Sequence, residues 1–145
     1  MCDGHKTQTT STETYSSVVA RDSVRLFLLI AALNDLDVFS CDIQNAFLTA
    51  PNKEKAWLWA GPEFGNDKGK PFIIVRALYG QKSAGYAFCS FLAEHLETIG
   101  FKSSLGDPDV WMRMTSKPDG ERYYEYILTY VDDLLSGSAN GKGPL

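Results

Sequence analysis

The sequence predicts an α+β fold with a largely antiparallel sheet, on three observations. A dense apolar run follows a capping residue over 22–34, and apolar residues recur at helical spacing over 84–99. Short runs rich in β-branched and aromatic residues lie between and after them. Turn-forming clusters separate those runs closely enough to make hairpins. The resulting order is helix, strand, hairpin-like pair, helix, hairpin.

The lead-in, residues 1–14, is polar and rich in Thr and Ser, and reads as disordered. Asp22 or Ser23 then offers a cap for a helix through about residue 34, whose apolar density predicts burial over most of its surface. In "LDVFSCDIQNAFL" a strand would put Val38, Ser40 and Asp42 on one face and Phe39, Cys41 and Ile43 on the other. "AWLWA" (56–60) and "PFIIVRALYG" (71–80) read as extended, joined by the turn-rich "GPEFGNDKGKP". From Ala84 to Ile99, Phe88, Phe91, Leu92, Leu96 and Ile99 follow a helical period that Gly100 ends. "VWMRM" (110–114) and "YYEYILTYV" (123–131) form the last hairpin around Pro118-Asp119-Gly120, where Pro fixes φ and Gly accepts a positive one. The Gly- and Ser-rich stretch "SGSANGKGPL" (136–145) reads as loop-like, with a flexible tail over 138–145, so the ordered domain is expected over 15–137.

A chain of 145 residues with 44% hydrophobic and 22% charged residues has the length and composition of one globular domain. Three scattered cysteines (Cys2, Cys41, Cys89) form no CxxC pair, which argues against both a zinc site and a secreted disulfide scaffold. The longest apolar run, 24–33, falls short of the roughly 20 residues a bilayer crossing needs. No signal-peptide pattern is present, so no membrane partner is expected and the compartment is cytoplasmic or nuclear. A net charge of −4 does not advertise a nucleic-acid partner.

Two acidic features stand out. Asp132 and Asp133 interrupt the apolar run "YILTYVDDLLSG", where they could be the solvated tip of a hairpin. Asp42 ends "VFSC" and could cap a turn or helix starting at Ile43. If the strands ending at Asp42 and Val131 are sheet neighbours, the three carboxylates converge at one edge. Such a cluster repels itself and is relieved by a hard divalent cation such as Mg²⁺. Two such ions about 4 Å apart form the clamp used for in-line phosphoryl transfer.

The segments "CDIQNAFLTA", "ALYGQKSAG", "DPDVWMR" and "YYEYILTYVDDLL" occur in an order and spacing that resemble reverse transcriptases of Ty1/copia-type retrotransposons, over roughly residues 14–137. The resemblance implies a ferredoxin-like polymerase palm with two packed helices, part of the fingers and no thumb. It implies that Asp42 and Asp132 ligate two Mg²⁺ ions, which Mn²⁺ could replace, with Asp133 adjacent. Phe47 falls where the family keeps an aromatic under the incoming sugar, although ordinary core packing would equally explain it. "LYGQKSAG" resembles the motif that helps hold nucleotide and template, with Tyr79, Gly80 and Lys82 its candidates; an exposed Lys is also commonly just solvated. Many copia-type enzymes have Leu at Gln81, Gln at Ser83 and Pro-Arg at Gly85-Tyr86.

The implied reaction is template-directed addition of a dNTP to a primer on RNA or DNA. The implied partners are the template–primer and the remaining Pol segments (fingers, thumb and RNase H). The implied location is a cytoplasmic virus-like particle or the nucleus. The weak basic footprint fits a palm-centred fragment whose basic surfaces lie on fingers and thumb, with little processive activity alone. The alternatives are a non-catalytic relic or interaction module that keeps the palm, and a nucleotidyl cyclase built on a similar palm.

Overall fold

The computed structural model of the chain describes residues 14–140. The expected disordered lead-in lies almost wholly outside the described residues, as does the end of the expected tail. Two compact units are formed. One is built on Asn45–Phe91 with the described part of Met1–Ser16, the other on Ser17–Gln44 with the described part of Leu92–Leu145. Among the described residues no helix is long and apolar enough to cross a membrane.

The second unit contains α1 (Arg21–Leu33), β1 (Asp37–Asp42), β4 (Lys102–Ser103), β5 (Val110–Ser116), β6 (Arg122–Tyr130) and β7 (Asp133–Ser138). Its strands form one antiparallel sheet in the order β1-β7-β6-β5-β4. The α+β class and the antiparallel pairing are as expected. Ser136, Gly137 and Ser138 were expected to be loop-like, yet they complete β7, a central strand hydrogen-bonded to β1 on one side and β6 on the other. Gly137 is a packing requirement. A Cβ on Gly137 would lie 2.7 Å from Cε2 of Phe27, so the Phe27 ring lies against β7 at a position that has no side chain.

Each sheet face has its own core. On one face Phe27, Ala31 and Leu36 pack with Leu128, flanked by Val24, Val110, Tyr126 and Leu135. On the other, Leu96, Phe101, Trp111, Ile127 and Leu134 close over Ile43 and Leu92. Burying a side chain such as Phe101 or Ile127 stabilises the fold by about 1.5–3 kcal/mol.

Two expectations about α1 are corrected. Its N-cap position is Ala20, which has no side chain to cap with. Asp107, distant in sequence, accepts hydrogen bonds from the Ala20 N–H at 2.9 Å and the Ser23 hydroxyl at 2.6 Å instead. Burial of α1 is also narrower than its composition suggested: Phe27 and Ala31 are buried, while Leu26, Leu28, Leu29 and Leu33 are exposed. Apolar density does not bury a helix that has only one sheet face to lie on.

The first unit contains α2 (Ala46–Thr49), β2 (Pro51–Trp59), a 3-10 turn (Pro62–Asp67) and β3 (Pro71–Arg76). It also holds the N-terminal half of α3 (Ala84–Thr98), which continues into the other unit. β2 and β3 form a two-stranded antiparallel sheet. β2 starts five residues earlier than "AWLWA", because its charged half "PNKEK" alternates outward and inward like the rest of the strand.

Candidate functional site

β1 and β7 pair in a single register from Asp37–Ser138 to Asp42–Asp133. The Ile43 N–H continues the ladder by donating to the Asp132 carbonyl at 2.9 Å. That bond makes Asp42–Asp133 a pair without mutual backbone hydrogen bonds, the closer kind, with Cα atoms about 4.5 Å apart and side chains on one face. Asp132 is the second residue of the two-residue turn between β6 and β7, closed by the Tyr130–Asp133 pair. The backbone therefore gathers all three aspartates at one end of one strand pair.

The turn is strained. Val131 has a φ of 55°, a region that a β-branched residue rarely enters. The strand leading into it is held by two further backbone hydrogen bonds. The Thr129 N–H donates to the Asp109 carbonyl at 2.9 Å, and the Val19 N–H donates to the Thr129 carbonyl at 3.1 Å. The Thr129 hydroxyl also donates to Asp109 Oδ1 at 3.2 Å. Asp109 is buried, and its Oδ2 makes no hydrogen bond. Sequence reasoning passed over this residue; the signal was a charged residue directly preceding the apolar "VWM".

Asp42 and Asp133 are exposed and Asp132 is half-buried. Among the described residues none forms an ion pair with them. Arg21 lines the same apolar cavity as Asp133, about 330 Å³ in volume, without closing a salt bridge. Opposed carboxylates without an ion-pair partner among the described residues suit a hard cation. Mg²⁺ takes one or two protein carboxylates and fills its remaining positions with water and phosphate oxygens, so this donor chemistry fits it. Among the described residues no three His, Cys, Asp or Glu side chains are grouped closely enough to hold an ion by themselves.

The other candidate residues lie in the first unit. The Phe47 ring is 4.7 Å from the Tyr79 ring and 6.0 Å from that of Phe88, so Phe47 has real packing contacts. Tyr79 keeps a partly exposed ring. Gly80 has a φ of 93°, which explains why glycine stands there. Gln81 stabilises the same turn, its Oε1 accepting the Leu78 N–H at 2.7 Å. Lys82 is exposed at the approach to α3.

A second buried polar feature was not read from the sequence. Arg113 and Glu125 face each other across β5 and β6. Nε and Nη2 of Arg113 donate to Glu125 Oε2 at 3.1 and 2.7 Å. The Ser138 hydroxyl donates to Oε1 at 2.9 Å, and the Tyr123 hydroxyl lies 3.3 Å from it. Arg113 also donates to the Ile99 carbonyl and sits 4.5 Å above the Phe101 ring. This network ties the distal end of β7 to β5 and β6, opposite the end that carries Asp133.

Residues 4–142 match the family described as reverse transcriptase (RNA-dependent DNA polymerase). The chain is 32% identical over 126 residues to the retrovirus-related Pol polyproteins from transposons RE1 and RE2 of Arabidopsis thaliana, covering 85% of this chain and 8% of each relative. It is 29% identical over 126 residues to the one from transposon TNT 1-94 of Nicotiana tabacum, covering 85% of this chain and 9% of the relative. The chain thus spans less than a tenth of the length of these curated relatives. No solved structure matches it significantly.

Proposed function

The chain belongs to the reverse transcriptase (RNA-dependent DNA polymerase) family of copia-type Pol polyproteins, and on that premise we propose that it carries the palm and the metal-binding centre of such a polymerase. The observation that carries the reading is the Asp42–Asp133 register with the Ile43–Asp132 hydrogen bond beside it. That arrangement brings Asp42 at the end of β1 beside Asp132 and Asp133 at the turn end of the β6–β7 hairpin.

Asp42 and Asp132 would hold divalent magnesium through carboxylate oxygens, with Asp133 adding negative charge next to them. Two ions held there would supply Lewis acidity, one for the primer 3′-hydroxyl and the other for the charge on the departing pyrophosphate. The chain's own part is positioning. The β1–β7 ladder fixes Asp42 and Asp133, and the Thr129 clamp with the tight turn fixes Asp132, so little reorganisation remains at the moment of transfer. Phe47 presents a ring to the sugar of the incoming dNTP, where contact at C2′ disfavours a 2′-hydroxyl. Tyr79 and Gly80 line the nucleotide's approach, and Lys82 supplies a cation for its phosphates. Template–primer and other segments of a Pol polyprotein are the partners this reading requires.

The test is primer extension by the purified chain on an RNA template with a DNA primer, dNTPs and Mg²⁺, paired with calorimetric titration of Mn²⁺. Divalent binding, and any elongation, should disappear in Asp42→Ala and Asp132→Ala. A wild-type chain that binds no divalent ion and extends no primer would instead support the non-catalytic interaction module.

A further inference from the structure

β6 reaches the turn that carries Asp132 with both of its edges hydrogen-bonded. Toward β7, Tyr130 pairs with Asp133 across the turn. Toward β5 the regular register stops at Val110–Leu128, one residue short of Thr129. Asp109 and Val19 complete that edge. The Asp109 carbonyl accepts the Thr129 N–H at 2.9 Å, and the Val19 N–H donates to the Thr129 carbonyl at 3.1 Å. Asp109 adds a side-chain contact, its Oδ1 accepting the Thr129 hydroxyl at 3.2 Å. It is itself fixed from the loop before it, because its N–H donates to Asp107 Oδ1 at 3.1 Å. Asp109 is only 9% exposed, and its Oδ2 is buried with no hydrogen-bond partner among the described residues. A buried carboxylate oxygen left in that state costs stability, so support of the sheet alone does not explain an acid at this position.

We propose that Asp109 is a positioning residue for the metal centre. Its carboxylate holds Thr129, and through Thr129 it holds the Val131–Asp132 turn in the one conformation that keeps Asp132 beside Asp42. Two residues past Thr129, Val131 enters the positive-φ region, which a β-branched residue keeps only where its surroundings over-determine it. A backbone bond gives the strand one point of attachment, and the hydroxyl–carboxylate bond on the same residue adds a second. Together they resist rotation of the strand end about its own axis. Asp109 touches neither substrate nor metal in this role. It removes the alternatives open to a two-residue turn, so the Asp132 carboxylate is already oriented when an ion arrives. The proposal rests on the polymerase reading for its ion and on the hydrogen bonds of Asp109 for its turn.

Two measurements on the full chain test it. The first is amide hydrogen exchange by NMR in EDTA, where no ion contributes. Asp109→Ala and Thr129→Val should each speed exchange about tenfold at Asp133 and at Ile43, whose N–H is held by the Asp132 carbonyl. Trp111 and Ile127, in the body of the sheet, should exchange as in the wild type. The second is calorimetric titration of Mn²⁺. The same two variants should bind it roughly tenfold more weakly, with no further loss when they are combined. Asp109→Asn and Thr129→Ser keep the acceptor and the hydroxyl, and should bind like the wild type. Exchange that quickens equally throughout β5, β6 and β7 overturns the proposal, because Asp109 would then be general support for the sheet. Asp109→Asn as weak as Asp109→Ala also overturns it, since charge rather than the hydrogen bond would act on the ion. A wild type that binds no Mn²⁺ removes the metal centre and the proposal with it. Wild-type Mn²⁺ binding that Asp109→Ala and Thr129→Val leave unchanged removes the proposal alone.

Discussion

Asp42 and Asp133 stand directly opposite each other where β1 ends and β7 begins. Like charges in directly opposed positions of an antiparallel pair destabilise it by roughly 0.2–1 kcal/mol. Asp133→Asn should therefore raise the thermal midpoint of the chain in EDTA. Because Mg²⁺ would offset the same repulsion in the wild type, the advantage should shrink or reverse in millimolar Mg²⁺. Differential scanning calorimetry with and without the ion measures both. A gain that is identical in the two conditions would mean that no cation reaches the pair.

Glu125 is almost fully buried and depends on Arg113 for its counter-charge. Arg113→Ala leaves a buried carboxylate with only hydroxyl and amide donors, which costs roughly 3 kcal/mol or more. Arg113→Met with Glu125→Leu removes both charges and should recover a large part of that loss. Urea denaturation of the two variants gives the comparison. A double variant as unstable as Arg113→Ala would show that the hydroxyls of Tyr123 and Ser138, rather than the ion pair, govern this end of the sheet.

The contrast between these two sites shows what could be read before the structure. The Pro118-Asp119-Gly120 turn announces the β5–β6 hairpin, and counting outward from it already pairs Arg113 with Glu125. Period-two alternation placed Asp42 on the face of Val38 and Ser40, where the β1–β7 register puts it. The centrality of β7 was hidden, because Ser136, Gly137 and Ser138 look like a linker until Phe27 is packed against them. The cap of α1 was equally hidden, since Asp107 comes from a segment more than eighty residues away. Local pattern reports which face a residue occupies; it does not report which distant element comes to cover that face.

Asp107 also makes stability depend on pH. Burial by itself would raise its pKa, but hydrogen bonds from the Ser23 hydroxyl and from the backbone N–H groups of Ala20 and Asp109 outweigh it and hold the carboxyl below its usual 3.8. A carboxylate whose pKa is lower folded than unfolded stabilises the protein fully above the unfolded value. That contribution disappears as pH falls through the folded one. Between pH 7 and pH 3 the wild type should thus lose stability that Asp107→Asn lacks from the start, so the two melting curves converge in acid. Parallel curves across that range would show that the α1 cap contributes nothing through its charge.

Gly137 offers the sharpest test of the packing. Its missing side chain lets the Phe27 ring lie against β7, and a Cβ there would meet Cε2 and Cζ at 2.7 and 2.8 Å. Those atoms belong to a buried ring, not to the free end of a flexible chain, so the clash cannot be relieved by a side-chain rotation alone. Gly137→Ala should cost about 1–3 kcal/mol through overpacking, despite alanine's lower backbone entropy in the unfolded chain. Adding Phe27→Leu should restore part of the loss by removing ring atoms at the point of contact, a coupling that a double-mutant cycle in urea would measure. Additive effects would mean that Phe27 and Gly137 do not share that space. The placement of α1 over β7, and with it the support behind Asp133, would then need another explanation.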